Sequence, residues 1–180
     1  MDTVSKKKLL KLARETIEAR FVRRQVQIPQ DPELQQRRGL FVSLHTDGEL
    51  RGCIGYIRGF KSLAASVVEM AEAAAFHDGR FLPLRAEELD DLEIEISVLS
   101  EMEALTNPED IQIGRDGLFL QHPHGSGLLL PQVPVEWHWD RPTFLRQICR
   151  KAGLPDKAWQ DKGAQLFRFS AEVFRDSDFS

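Results

Sequence analysis

Apolar and polar positions along the chain change period several times, and each change marks an element. Over residues 4–24, Leu9, Leu10, Ala13, Ile17 and Phe21 recur near every 3.6 positions, with lysines and arginines between them. That spacing predicts an amphipathic helix. Residues 29–38 hold Pro29, Asp31, Pro32 and several glutamines and read as a loop. Gly39–His45 then reads as a strand. Thr46-Asp47-Gly48 follows, an Asp-Gly signal for a tight hairpin, and Glu49–Ile57 reads as the return strand. Ser62 is placed to cap a second helix whose stripe is Leu63, Val67, Met70 and Ala74, ending near Phe76–Asp78. After a polar loop and one helical turn at 87–89, Leu92–Val98 alternates cleanly. Leu92, Ile94, Ile96 and Val98 are expected on a core face, with Glu93, Glu95 and Ser97 opposite.

The second half is less regular. Gly117–Gln121 and Gly127–Leu130 read as paired strands, and Gln132–Val135 as a loop or irregular strand because two prolines interrupt it. Asp140-Arg141-Pro142 signals a helix start, Phe144, Leu145, Ile148, Cys149 and Ala152 its apolar face, and Gly153 its stop. Gln165–Phe174 alternates again and is expected to rejoin the main sheet; residues 175–180 read as a loose tail. The pattern therefore predicts an α+β chain. Its larger lobe would span about 1–105 and 140–180, with a smaller β-rich lobe at about 106–139.

Composition narrows the function classes. At 180 residues, with 42% hydrophobic and 29% charged side chains, the chain can bury a core. Its formal net charge of -4 gives no global basic field for nucleic acid, which leaves only a local basic patch such as Lys6-Lys7-Lys8. No run approaches a membrane span, and no cleavable apolar leader opens the chain. The two cysteines, Cys53 and Cys149, lie far apart and read as reduced thiols in a cytoplasmic setting.

The stretch with most chemical content is Leu50-Arg51-Gly52-Cys53-Ile54-Gly55-Tyr56. Strand alternation puts Arg51 and Cys53 on one face, and a guanidinium beside a thiol favours the thiolate. Cys53 is thus the candidate catalytic residue. The competing reading is a small buried residue between packing glycines. Arg51 is a candidate anion binder, or else an ion-pair partner of Glu95 or Asp78. Asp78, Arg80 and Glu95 are the other candidate binding residues. Glu95 joins the group if its strand neighbours the cysteine strand. His122-Pro123-His124 lacks a third ligand nearby, so no metal site is assigned. Cys149 reads as core, and Trp137 and Trp139 as packing or a stacking platform.

Five ordered blocks carry a resemblance. They are Leu50–Gly55; the loop of Asp78, Arg80, Phe81 and Pro83; the strand Glu93–Leu99; Leu128–Trp137; and Phe144–Leu154. Together, over about residues 8–175, they resemble the AMMECR family, named from the AMME syndrome candidate protein, whose prokaryotic members are called AmmeMemoRadiSam system protein A. Tyr56 departs from the pattern, standing where the family more often has Thr. The resemblance implies an α+β fold of two subdomains with mainly antiparallel strands. It implies company with a Memo-like protein and a radical-SAM enzyme, and it names no reaction or cofactor. Three functions fit these residues: an enzyme or enzyme component using Cys53 on an anionic substrate in a cleft between the lobes, a non-catalytic binding or adaptor module, and an RNA-binding or RNA-modifying factor.

Overall fold

A computed structural model describes residues 1–180. The fold is α+β, built on two antiparallel four-stranded sheets. The chain divides into two compact units, Met1–Leu99 with Glu172–Ser180, and Ser100–Ala171.

In the first unit, helix α1 spans Thr3–Val22, strands β1 and β2 span Leu40–Thr46 and Glu49–Tyr56, helix α2 spans Leu63–Phe76, and strand β3 spans Leu92–Leu99. A last strand of this sheet, β8, spans Ala171–Arg175, and the sheet order is β2-β1-β3-β8. The β1–β2 hairpin forms where the Asp-Gly signal places it, with Asp47 and Gly48 at φ 53° and 79°. Asp2 starts α1 by accepting from the Ser5 N–H at 2.7 Å. The Ser62 hydroxyl accepts from the Ala65 N–H at 3.3 Å and starts α2. Leu40, Val42 and Leu44 of β1 and Ile94, Ile96 and Val98 of β3 face the helices. They bury completely with Leu9, Ala13 and Ile17 of α1 and Leu63, Val67 and Ala71 of α2. Alanines on α2 keep the helix–sheet distance short. Replacing Ser62 by Ala is expected to lower stability by about 1 kcal/mol, read from the urea midpoint, because one orphan helix N–H loses its acceptor.

In the second unit, the short strand β4 (Glu103–Ala104), β5 (Gly117–His122), β6 (Gly125–Leu129) and β7 (Gln165–Phe169) form a sheet in the order β4-β7-β5-β6. Helix α3 spans Gln132–Glu136 and helix α4 spans Arg141–Lys151. Phe144, Ile148 and Cys149 of α4 are buried against Leu118 and Leu120 of β5, Ile111 and Leu166.

The structure departs from the sequence pattern in four places. The final alternating run is two strands, because Ser170 gives its N–H to the Ser100 hydroxyl and its carbonyl to the Ser100 N–H. Only β8 enters the first sheet, while β7 and α4 belong to the second unit rather than with residues 1–105. Gln132–Val135 is helical, with Pro131 at the cap and Pro134 in the first turn, where a backbone N–H has no partner to lose. The tail is tied down as a 3₁₀ turn over Asp176–Phe179, since Asp176 accepts from Arg14 at 2.6 Å and from the Ile94 N–H at 3.1 Å. No helix is long and apolar enough to cross a membrane.

Candidate functional site

Two glycines shape the cysteine strand. A Cβ on Gly52 would lie 2.1 Å from the Ala74 carbonyl oxygen, so this residue lets the last turn of α2 rest directly on β2. A Cβ on Gly55 would strike the Phe41 ring at 2.3 Å, so the ring occupies the space above it. Between them Cys53 points to the face of the sheet opposite the apolar core. There the pairing register sets Cys53 opposite Ser43, and Ser43 opposite Glu95, across three neighbouring strands. The Ser43 hydroxyl donates to Cys53 Sγ at 3.1 Å. Ser43 and Glu95 are each 4% exposed, whereas Cys53 is partly open. This face is therefore a buried polar one, and Glu95 is not the solvent-facing side chain expected by default for an antiparallel sheet. Glu95 is ion-paired with Arg175 of β8.

The loop after α2 closes over the cysteine backbone. Asp78 Oδ2 accepts from the Cys53 N–H at 2.9 Å, and its two oxygens take Arg80 Nε at 3.0 Å and Nη2 at 2.7 Å. Arg80 Nη2 also donates to the Cys53 carbonyl at 3.2 Å. The fork of Arg80, together with the Cys53 and Arg80 backbone N–H groups, holds the Asp78 carboxyl far below the usual carboxylate range, against the opposing effect of burial. Arg80 keeps half of its side chain in solvent.

Arg51 goes elsewhere. The β1–β2 register skips it, with Gly52 opposite Leu44 and Leu50 opposite His45, so it occupies a bulge where strict alternation fails. Its guanidinium holds Glu88 through Nε at 2.8 Å and Nη2 at 3.2 Å, and reaches the Leu82 carbonyl at 2.9 Å. The expected partners, Glu95 and Asp78, are thus replaced by Glu88. The charges that act most on the thiol are Arg80, Asp78 and Glu95. Burial pushes the Cys53 thiol up from its ordinary value. Ser43 and Arg80 pull it down, Asp78 and Glu95 push it up, and the rise prevails. The guanidinium beside the thiol is therefore that of Arg80 rather than Arg51, and the net effect of the surroundings disfavours the thiolate instead of favouring it.

Of the five candidate residues, the structure brings Cys53, Asp78 and Arg80 into one hydrogen-bonded group, sets Arg51 in a separate ion pair, and leaves Glu95 on the same sheet face but two strands away, because β1 stands between its strand and that of the cysteine. Ser43 and Arg175 were missed. Counting back from Asp47-Gly48 pairs Ser43 with Gly52, and the bulge at Arg51 shifts it opposite Cys53, so the hairpin alone would have misplaced it by one residue. Arg175 carried no local signal. His122 has both ring nitrogens engaged. Nδ1 accepts from the His124 N–H at 3.0 Å, so Nε2 carries the proton and donates to Asp161 at 3.1 Å. Cys149 is fully buried. Trp137 and Trp139 stack with centroids 6.4 Å apart, and Trp137 is two-thirds exposed.

This architecture and chain have relatives. The family model AMMECR1 matches residues 10–174. The chain belongs to the AMMECR1 family. A Thermococcus gammatolerans protein is 44% identical, over 93% of this chain and 88% of its own length. A Methanothermobacter thermautotrophicus protein is 43% identical, over 93% of this chain and 92% of its own. The crystal structure of the uncharacterised protein PH0010 from Pyrococcus horikoshii is 40% identical and superposes with a TM-score of 0.87, over 93% of this chain and 89% of that one. At that likeness the AMMECR1 relatives share the fold.

Proposed function

We propose that this AMMECR1 protein is an enzyme or enzyme component in which Cys53 is the reacting group and Arg80 draws an anionic substrate. The observation that supports this most is the 3.1 Å contact from the Ser43 hydroxyl to Cys53 Sγ, made on a polar sheet face by a residue that is only partly buried. A hydroxyl donating to sulfur stabilises negative charge as it develops there. Because burial disfavours the thiolate, the thiol would react with a substrate that takes the proton as the bond to sulfur forms. Asp78 and Glu95 would set the charge around that step, and Arg51 would hold the bulge rather than the ligand. The cytoplasmic setting, and action alongside a Memo-like protein and a radical-SAM enzyme, rest on the family resemblance and on two free cysteines.

Alkylation by iodoacetamide as a function of pH tests the site. Cys53 is expected to react more slowly at pH 7 than an unstructured cysteine, with the rate climbing through an apparent pKa above the ordinary thiol range. Ser43→Ala removes the contact that favours the thiolate and is expected to move the profile further up. A thiol that reacts only after denaturation would end the enzymatic reading.

A second reading, a non-catalytic binding module, draws support from a different observation. Arg51 and Arg80 both have carboxylate partners, on Glu88 and Asp78, so the site keeps its shape without a ligand. It predicts that Cys53→Ser complements a deletion strain as fully as wild type. The enzymatic reading predicts loss of complementation.

A further inference from the structure

The far end of α1, remote in sequence from the cysteine, forms a second hollow. A cavity of about 410 Å³ is lined by Ala19, Arg20, Arg23, Arg24, Val26 and Ile28 from the end of α1 and the segment after it, and by Val68 and Glu72 of α2. Its size falls within the usual range of small-molecule sites. Ala19, Val26, Ile28 and Val68 supply the apolar part of its surface, Thr16 a hydroxyl, and three arginines and one glutamate the charge.

The arginines are not equivalent. Arg20 lies 3.9 Å from Glu72 and over the Phe76 ring, so its charge is balanced. The guanidiniums of Arg23 and Arg24 have no ion pair and no hydrogen bond. Nor are they needed to cap the helix. The Ala19 carbonyl is already satisfied by the backbone N–H groups of Arg23 and Arg24. Arg23 also holds φ at 52°, a left-handed helix-stop position where glycine is the favoured residue. A large cation thus stands where the backbone prefers no side chain, lining a partly apolar hollow that carries a net positive charge.

We propose that this hollow binds a small organic anion with an apolar body, its phosphate or carboxylate held by Arg23 and Arg24 and its hydrocarbon resting on Val26, Ile28 and Val68. A planar guanidinium pairs with either anion through two parallel N–H donors, and two unpartnered arginines lining one hollow favour a negatively charged ligand. The site is independent of the Cys53 chemistry, so Cys53→Ser leaves its binding unchanged.

The test is calorimetric titration of the full chain with phenyl phosphate, benzoate and inorganic phosphate at low salt, with amide chemical shifts locating the site. Saturable binding of phenyl phosphate or benzoate is expected, with shifts at Ala19, Val26 and Val68, and the tighter of the two names the anion class. Inorganic phosphate is expected to bind at least about tenfold more weakly, because it leaves the apolar surface uncovered. Arg23→Gly is expected to weaken binding by about tenfold while the protein stays folded, since glycine relieves the left-handed backbone. Arg24→Gln is a second variant that leaves the backbone untouched, with a similar loss expected. The proposal is overturned if neither aromatic anion saturates, if the shifts fall elsewhere, if inorganic phosphate binds equally well, or if both variants bind like wild type.

Discussion

Gly52→Ala is expected to destabilise the protein by about 3 kcal/mol or more, a larger loss than any side-chain truncation around Cys53 should cause. The reason is geometric. The new methyl would sit 2.1 Å from the Ala74 carbonyl oxygen and 3.0 Å from its carbon, and both are backbone atoms in the last turn of α2. No side chain can rotate away, so either the helix lifts from the sheet or β2 bends. Shortly after that turn the chain reaches Asp78, which holds the Cys53 N–H. Displacing the helix end therefore displaces the clamp. Urea unfolding should show a large drop in midpoint, and Cys53 should become more reactive toward iodoacetamide in native conditions. An unchanged midpoint would mean that the strand and helix do not approach as closely as described.

Asp78→Ala is expected to have the next largest effect. The carboxylate is 4% exposed and serves the Cys53 N–H, the Arg80 N–H and the Arg80 guanidinium together. Its removal leaves those donors without an acceptor, and a loss of about 2 kcal/mol is expected, discounted because half of Arg80 can turn to water. The same contact carries a pH dependence whose sign follows from the direction of the shift. Asp78 is held far below its ordinary value of 3.8, so in acid the unfolded chain binds this proton before the folded one does. Its contribution is complete above the unfolded value and is lost as the pH falls through the ordinary carboxylate range toward the folded value. Acid unfolding of Asp78→Ala should therefore be flatter below about pH 4 than that of wild type. The substitution also removes one of the negative charges that push the thiol up and frees Arg80 beside it. Cys53 should then alkylate faster at neutral pH although the protein is less stable. Stability and reactivity moving in opposite directions would separate a site effect from simple unfolding.

Membership of the AMMECR1 family, visible in five sequence blocks, is borne out by the family match over residues 10–174 and by a solved relative of the same fold. Within the cysteine block the sequence indicated closely packed glycines but not their neighbours. Gly52 meets a helix that begins 11 residues later, and Gly55 meets a ring from the preceding strand.

What the sequence alone determined was whatever depends on neighbours a few residues away. The Asp47-Gly48 turn, the caps at Ser62 and Asp140, and the alternation of Leu92–Val98 are set by backbone sterics and local hydrogen bonds, and they appear where the pattern puts them. Tertiary structure decided the rest. Ser170 splits one apparent strand because Ser100, seventy residues earlier, takes its hydrogen bonds. The tail is ordered because Asp176 finds Arg14 and the Ile94 amide. The bulge gives Arg51 to Glu88, and the thiol's charge environment comes from Arg80, Asp78 and Glu95 instead. An ion pair or a desolvated thiol is fixed by which distant groups the fold brings within a few ångströms, and spacing along the chain holds no record of that distance.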